Sequence, residues 1–116
     1  MKKTIKIESI TPMAMTEDDG LKLRTQMENA LQQGEEVVLD FEGIDLFSTP
    51  FFNSSIGYFV LKLTPERYKD VIDIINLTDL GKETYGHSYQ NAISVYENNL
   101  DPEMVGRITK QTIDEQ

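Results

Sequence analysis

Asp40, Glu42 and Asp45 lie close together in the chain, and closely spaced carboxylates can hold a magnesium ion or exchange protons with a substrate. They follow Val37-Val38-Leu39, a run apolar enough to be a buried strand, and so stand at a strand end, where open α/β sheets present ligands. Asp40 and Glu42 share a strand face only if the strand persists through Glu42, and Gly43 follows at once. The simpler role for Asp40 is to accept backbone amides in the next loop, with Glu42 and Asp45 solvated. His87 is the single histidine, which removes multi-histidine metal sites; its neighbours Tyr85, Ser88 and Tyr89 offer hydroxyls but no aligned carboxylate. Ser54-Ser55 before Gly57 supplies hydroxyls without a strand-turn-helix nucleophile elbow, and small residues there suit close helix packing. No glycine pattern forms a phosphate cradle. The absence of cysteine excludes disulfides, zinc–thiolate centres and cysteine nucleophiles. No metal and no cofactor is expected. A ligand or metal site on Asp40, Glu42 and Asp45 is the one enzymatic alternative.

The chain carries 20 acidic and 11 basic residues, a net charge of −9. That surface repels phosphate backbones and anionic lipid. Lys2, Lys3 and Lys6 are near one another, as are Lys22 and Arg24, but no basic cluster interleaves with aromatics. Neither nucleic acid nor membrane is expected as a partner; the acidity serves solubility or biases the chain toward a basic partner surface. At 116 residues the chain fits one domain with one core. No stretch approaches the roughly 20 apolar residues of a membrane helix, and Met1–Ile7 lacks the apolar run of a signal peptide. The expectation is a soluble, cytoplasmic protein.

The elements that must position these residues alternate along the chain. Thr4–Ile10 has the two-residue period of a half-buried strand, with Ile5, Ile7 and Ile10 inward. Over Glu17–Gln33, Leu23, Met27, Ala30 and Leu31 fall on one helical face; Thr16, Asp18 or Asp19 can cap it and Gly34 can stop it. Val37–Phe41 reads as the central strand. A second helix over Pro50–Leu63 takes Thr49 as N-cap and Pro50 as its first residue. Phe52, Ile56, Phe59, Val60 and Leu63 make its inward stripe, while Phe51, Tyr58 and Leu61 add apolar surface elsewhere. A turn over Glu66–Lys69 leads to a strand at Val71–Ile75. A last helix over Leu80–Asn98, capped by Asp79, presents Tyr85, Tyr89, Ala92, Ile93 and Tyr96. The reading is an α/β domain over 1–98, order β-α-β-α-β-α, with a mainly parallel or mixed central sheet, and a C-terminal helical tail over 99–116 carrying Met104, Val105 and Ile108.

Leu39-Asp40-Phe41-Glu42-Gly43-Ile44-Asp45, then an apolar residue and Ser48-Thr49 at a helix start, resembles the signature of STAS-like domains. It is closest to a bacterial group marked by aspartate–phenylalanine–glutamate–glycine at a strand end and lacking an assigned activity. Asn76 also sits where those domains often have asparagine, and the similarity runs from about Leu21 to Tyr96. The wider family includes anti-sigma factor antagonists, which dock on kinase-type anti-sigma factors and are switched by phosphorylation of a serine at this helix start. The resemblance therefore implies a single STAS-like domain with no catalytic activity, a regulatory module that binds a protein partner of the histidine-kinase-type ATPase or anti-sigma-like class.

The chain departs from the antagonists where they are phosphorylated. Aligned through the strand, Ser48 and Thr49 fall on the antagonists' aspartate and first serine, Pro50 on the phosphorylated serine, and Phe51 on the glycine. Proline takes no phosphate, so Thr49 is the close substitute, and phosphate there would be favoured by the helix dipole; as a plain N-cap Thr49 needs no such role. Phe47, Ser48, Thr49, Phe51 and Phe52 form the expected partner-binding surface. Phe51 and Phe52 point about 100° apart on a helix, so one inward stripe cannot take all three phenylalanines, and at least one should be partly exposed or packed under the tail.

Overall fold

The computed structural model describes residues 1–98; the tail over 99–116 lies outside them. Three strands, β1 (Lys2–Lys6), β2 (Glu36–Asp40) and β3 (Ile72–Ile75), form a parallel sheet in the order β1-β2-β3. The strand read at Val37–Phe41 is thus central. Register pairs Ile5 with Leu39 and Leu39 with Ile74, so Ile5, Val37, Leu39, Ile72 and Ile74 share one face. That face is covered. The opposite one carries Lys2, Thr4, Lys6, Glu36, Val38, Asp40, Asp73 and Ile75, mostly exposed, with Asp40 buried at its end. Parallel sheets usually bury both faces; here mostly polar residues at alternate positions leave much of one face exposed among the described residues.

The first strand is shorter and earlier than Thr4–Ile10. After Lys6 the backbone turns into a 3₁₀ segment, Ile7–Ser9, and the Ile10 and Thr11 amides donate to the Ile7 carbonyl. Ile7 is still fully buried, so the alternation reported burial correctly and the ladder wrongly. Helix α1 (Glu17–Gln32) follows, capped by Thr16, whose hydroxyl accepts the Asp19 amide at 3.1 Å. Leu23, Met27 and Ala30 face the core. Gly20 does more than weaken the first turn: a Cβ there would sit 2.6 Å from the Phe51 carbonyl oxygen, so glycine lets α1 lie against the next helix.

That next rod comprises α2 (Thr49–Phe52), a π-helical turn (Asn53–Gly57) and α3 (Tyr58–Leu63). It is wedged between α1 and the last helix, α5 (Asp79–Glu97). Two flanking helices bury two sides of it, so Phe51 and Phe52 are both fully buried beside Ile56, Phe59 and Val60. The π turn rests on hydroxyls: Ser55 donates to the Phe51 carbonyl at 2.7 Å, and the single Ser54 hydroxyl proton has the Pro50 carbonyl at 2.9 Å, with the Phe51 and Glu17 carbonyls also within reach. Buried Asn53 accepts the Ser88 hydroxyl of α5. Where a turn was read at Glu66–Lys69 stands helix α4 (Pro65–Val71), whose Tyr68 is buried and shares a 2.7 Å hydrogen bond with Tyr85. Helix α5 is capped by Thr78 rather than Asp79 and buries Gly81, Ser88, Ala92 and Val95; Tyr96 is exposed.

Thr64 joins α3 to α4 at φ 73°, ψ 152°, a conformation open essentially to glycine, while its hydroxyl caps α4 by accepting the Arg67 amide. Glycine relieves the backbone and loses little as a cap. Thr64→Gly should therefore stabilise the protein by about 1 kcal/mol, read as a higher urea midpoint at unchanged slope; a lower midpoint would show the cap to outweigh the backbone.

Candidate functional site

The three parallel strands end together at Lys6, Asp40 and Ile75, and α1, α2 and α5 begin at that same end. Two features meet there, a polar cleft and an apolar patch.

The cleft, about 360 Å³ and open to solvent, is lined by Lys6, Glu8, Asp40, Glu42 and Gly43. Asp40 lies beneath it, only 8% exposed. One carboxylate oxygen accepts the Glu42 amide at 3.0 Å and the Asn76 side-chain amide at 2.9 Å. Asn76 reaches it from a left-handed backbone, φ 60°, a conformation asparagine tolerates. The Asn76 bond foremost, then the Glu42 amide and the nearby Lys6 charge, hold the Asp40 carboxyl below the usual carboxylate range despite desolvation. Asp40 thus ties the end of β2 to the loop that follows it, through the backbone amide its simpler reading expects, and to Asn76 just after β3. Asp45 is exposed and does not line the cleft, so the structure does not gather Asp40, Glu42 and Asp45 into one site. Among the described residues no group of three or more carboxylates or histidines is placed to hold a metal ion. His87 is exposed on α5, on a different element.

A carboxylate with a lowered pKa stabilises the fold above its unfolded value, about pH 4, and that contribution is lost as pH falls through the folded value. Asp40→Asn should cost about 1 to 2 kcal/mol at pH 7, and the gap from wild type should close below about pH 4. Urea melts carried from pH 7 down into acid, well below about pH 4, test this; a gap that persists in acid would place the cost in packing rather than charge.

The patch is built on an isolated parallel bridge between Ala14 and Phe47. The Ala14 amide donates to Leu46 and the Ser48 amide to Ala14, pinning the loop before α2 to the segment before α1. Ser48, not Thr49, caps α2: its hydroxyl accepts the Phe51 amide at 3.3 Å and donates to the Met15 carbonyl. Thr49 is the first helical residue and Pro50 the second, a one-residue shift from the sequence reading, and Thr49 is half-buried. In an extended bridge neighbours alternate sides. Ala14 and Phe47 therefore turn inward, while Met13, Met15 and Leu46 turn out, 47%, 40% and 49% exposed. Phe47 is half-buried, stacked on Phe52 at 6.1 Å and tilted on Phe41 at 6.2 Å. Its ring edge meets Gly81, where a Cβ would lie 2.8 Å away; the next residue back, Leu80, is 54% exposed.

Of the expected partner-binding residues, the structure leaves Phe47, Ser48 and Thr49 partly accessible. Phe51 and Phe52 are corrected to core, since α1 and α5 close over them. Met13, Met15, Leu46 and Leu80 went unread. For Met13 and Met15 no periodicity marked them; Leu46 was legible as an apolar residue between Asp45 and Phe47 in a loop.

Among the described residues no helix is long and apolar enough to cross a membrane. A family model described as a STAS-like domain of unknown function (DUF4325) matches residues 19–82, which span Gly20, the sheet centre, the whole α2–α3 rod and Asn76. No curated protein and no solved structure matches the chain significantly.

Proposed function

This chain belongs to the STAS-like family of unknown function, and we propose that it is a non-catalytic, cytoplasmic regulatory module that binds another protein through the surface at the start of α2. The observation that supports this reading is the set of large apolar side chains, Met13, Met15, Leu46 and Leu80, exposed around half-buried Phe47. An isolated exposed leucine needs no explanation, whereas Met13, Met15 and Leu46, set beside one another by the Ala14–Phe47 bridge next to a helix start, suit a protein interface. The resemblance to anti-sigma factor antagonists, which dock on kinase-type anti-sigma factors and are switched at this helix start, favours a histidine-kinase-type ATPase or anti-sigma-like partner.

Thr49 lies at the first position of α2, at the positive end of the helix. A phosphate there adds charge beside the patch without entering the core, which makes Thr49 the proposed switch residue. Thr49→Glu should change the melting free energy by no more than about 1 kcal/mol while shifting partner affinity. The reading is tested by affinity purification from the source cells with wild-type and Met15→Ser/Leu46→Ser baits, both checked by circular dichroism. A protein retained only by wild type, and altered in recovery by Thr49→Glu, is the expected result; identical partners on both baits would move the interface elsewhere.

A further inference from the structure

The apolar patch has an acidic border. Glu17 and Asp18 follow Met15 in the first turn of α1, Asp45 precedes Leu46, Glu42 stands three residues further back, and Asp79 precedes Leu80. All five are exposed. The stretches 13–19, 42–49 and 77–81 contain no lysine or arginine at all. Three cations lie beside these stretches: Lys22, which pairs with Asp19 at 3.6 Å, Lys6, which lines the polar cleft with Glu42, and Lys82, the residue after Gly81 in α5.

We infer that the patch takes a basic amphipathic helix, its apolar stripe on Met13, Met15, Leu46 and Leu80 and its lysines or arginines over the acidic border. The inference rests on the proposed docking role and specifies the partner's chemistry. Three physical points carry it. The exposed anchors are unbranched or singly branched side chains, and methionine in particular repacks against varied apolar partners. An apolar surface flanked by one sign of charge matches a helix whose apolar stripe, at i, i+3, i+4 and i+7, lies between cationic flanks. The uniform acidic border attracts a cationic partner and penalises an acidic one, and a second copy of this chain would bring the same negative border against it.

The protein contains no tryptophan, so a peptide carrying one tryptophan reports binding by fluorescence without interference. The probe is a synthetic leucine–lysine peptide of about four helical turns with leucines at helical spacing, beside a scrambled peptide of the same composition. Wild type should bind the amphipathic peptide at least about tenfold more tightly than the scrambled one, with affinity falling as salt rises. Met15→Ser/Leu46→Ser should lose at least about tenfold by removal of the anchors, and Asp18→Lys/Asp45→Lys a similar factor by reversal of the border, while Tyr96→Ser at the far end of α5 should bind as wild type does. Equal binding of the two peptides, or unchanged binding by both patch variants, would overturn the inference. So would sedimentation showing wild-type self-association that the serine variant abolishes, which would give the patch to a second copy. A natural partner that needs Met15 and Leu46 while the peptide fails to bind would leave the docking surface standing and refute only the partner's chemistry.

Discussion

Truncating Phe52 to alanine is expected to destabilise the fold by about 3 to 5 kcal/mol, enough to unfold a large part of a domain whose total stability is typically about 5 to 15 kcal/mol. Phe52 is fully buried and its ring meets four others: Phe41 at 5.7 Å, Phe47 at 6.1 Å, Phe51 at 5.6 Å and Tyr85 at 5.8 Å. Those rings come from the end of β2, the loop before α2, α2 itself and α5, so no single element can move to fill the space. The cavity term then adds to the lost transfer energy. Urea unfolding of Phe52→Ala measures it, and a loss below about 1 kcal/mol would mean that the aromatic cluster is not the core described. The same burial makes Phe51→Ala or Phe52→Ala a poor probe of binding, since any loss of partner would report unfolding.

The second large effect concerns binding and leaves the fold intact. Met15→Ser/Leu46→Ser should weaken partner binding about a hundredfold, about 2.7 kcal/mol, because two apolar anchors at an interface centre each contribute on the order of 1 to 2 kcal/mol. Neither side chain belongs to the buried core, so melting should shift by no more than about 1 kcal/mol. On the proposed docking surface, the two phenylalanines of α2 and the two exposed residues beside it should separate stability from binding within one small region.

Sequence period alone made the order of elements and the central position of β2 legible, because an apolar run flanked by amphipathic helices has few other solutions. Boundaries were less legible where the chain changes direction without a proline or glycine, as at Ile7, where the 3₁₀ turn keeps the burial pattern of a strand. The cap of α2 slipped by one residue because Ser48 and Thr49 are both good caps and only the hydrogen bond to the Phe51 amide distinguishes them. Tyr68 was taken into a turn, since Pro65 both ends one helix and begins the next. The sequence counted too many phenylalanines for one stripe, and the answer is a rod buried on two sides, with Phe47 the only partly exposed member of the three. The π turn left no periodic signal: its Ser54 and Ser55 hydroxyls were legible as small polar residues, their service to backbone carbonyls only in three dimensions. Met13 and Met15 belong to the site through the Ala14–Phe47 bridge, a long-range pairing that no local pattern encodes.

Calorimetric titration of the recovered partner into wild type, Met15→Ser/Leu46→Ser and Tyr96→Ser tests the docking surface most directly. Tyr96, 44% exposed near the end of α5, is an apolar control away from the patch. Wild type and Tyr96→Ser should bind alike, with the double variant folded and about a hundredfold weaker. A folded double variant that binds as tightly as wild type would contradict the assignment of the partner to the start of α2.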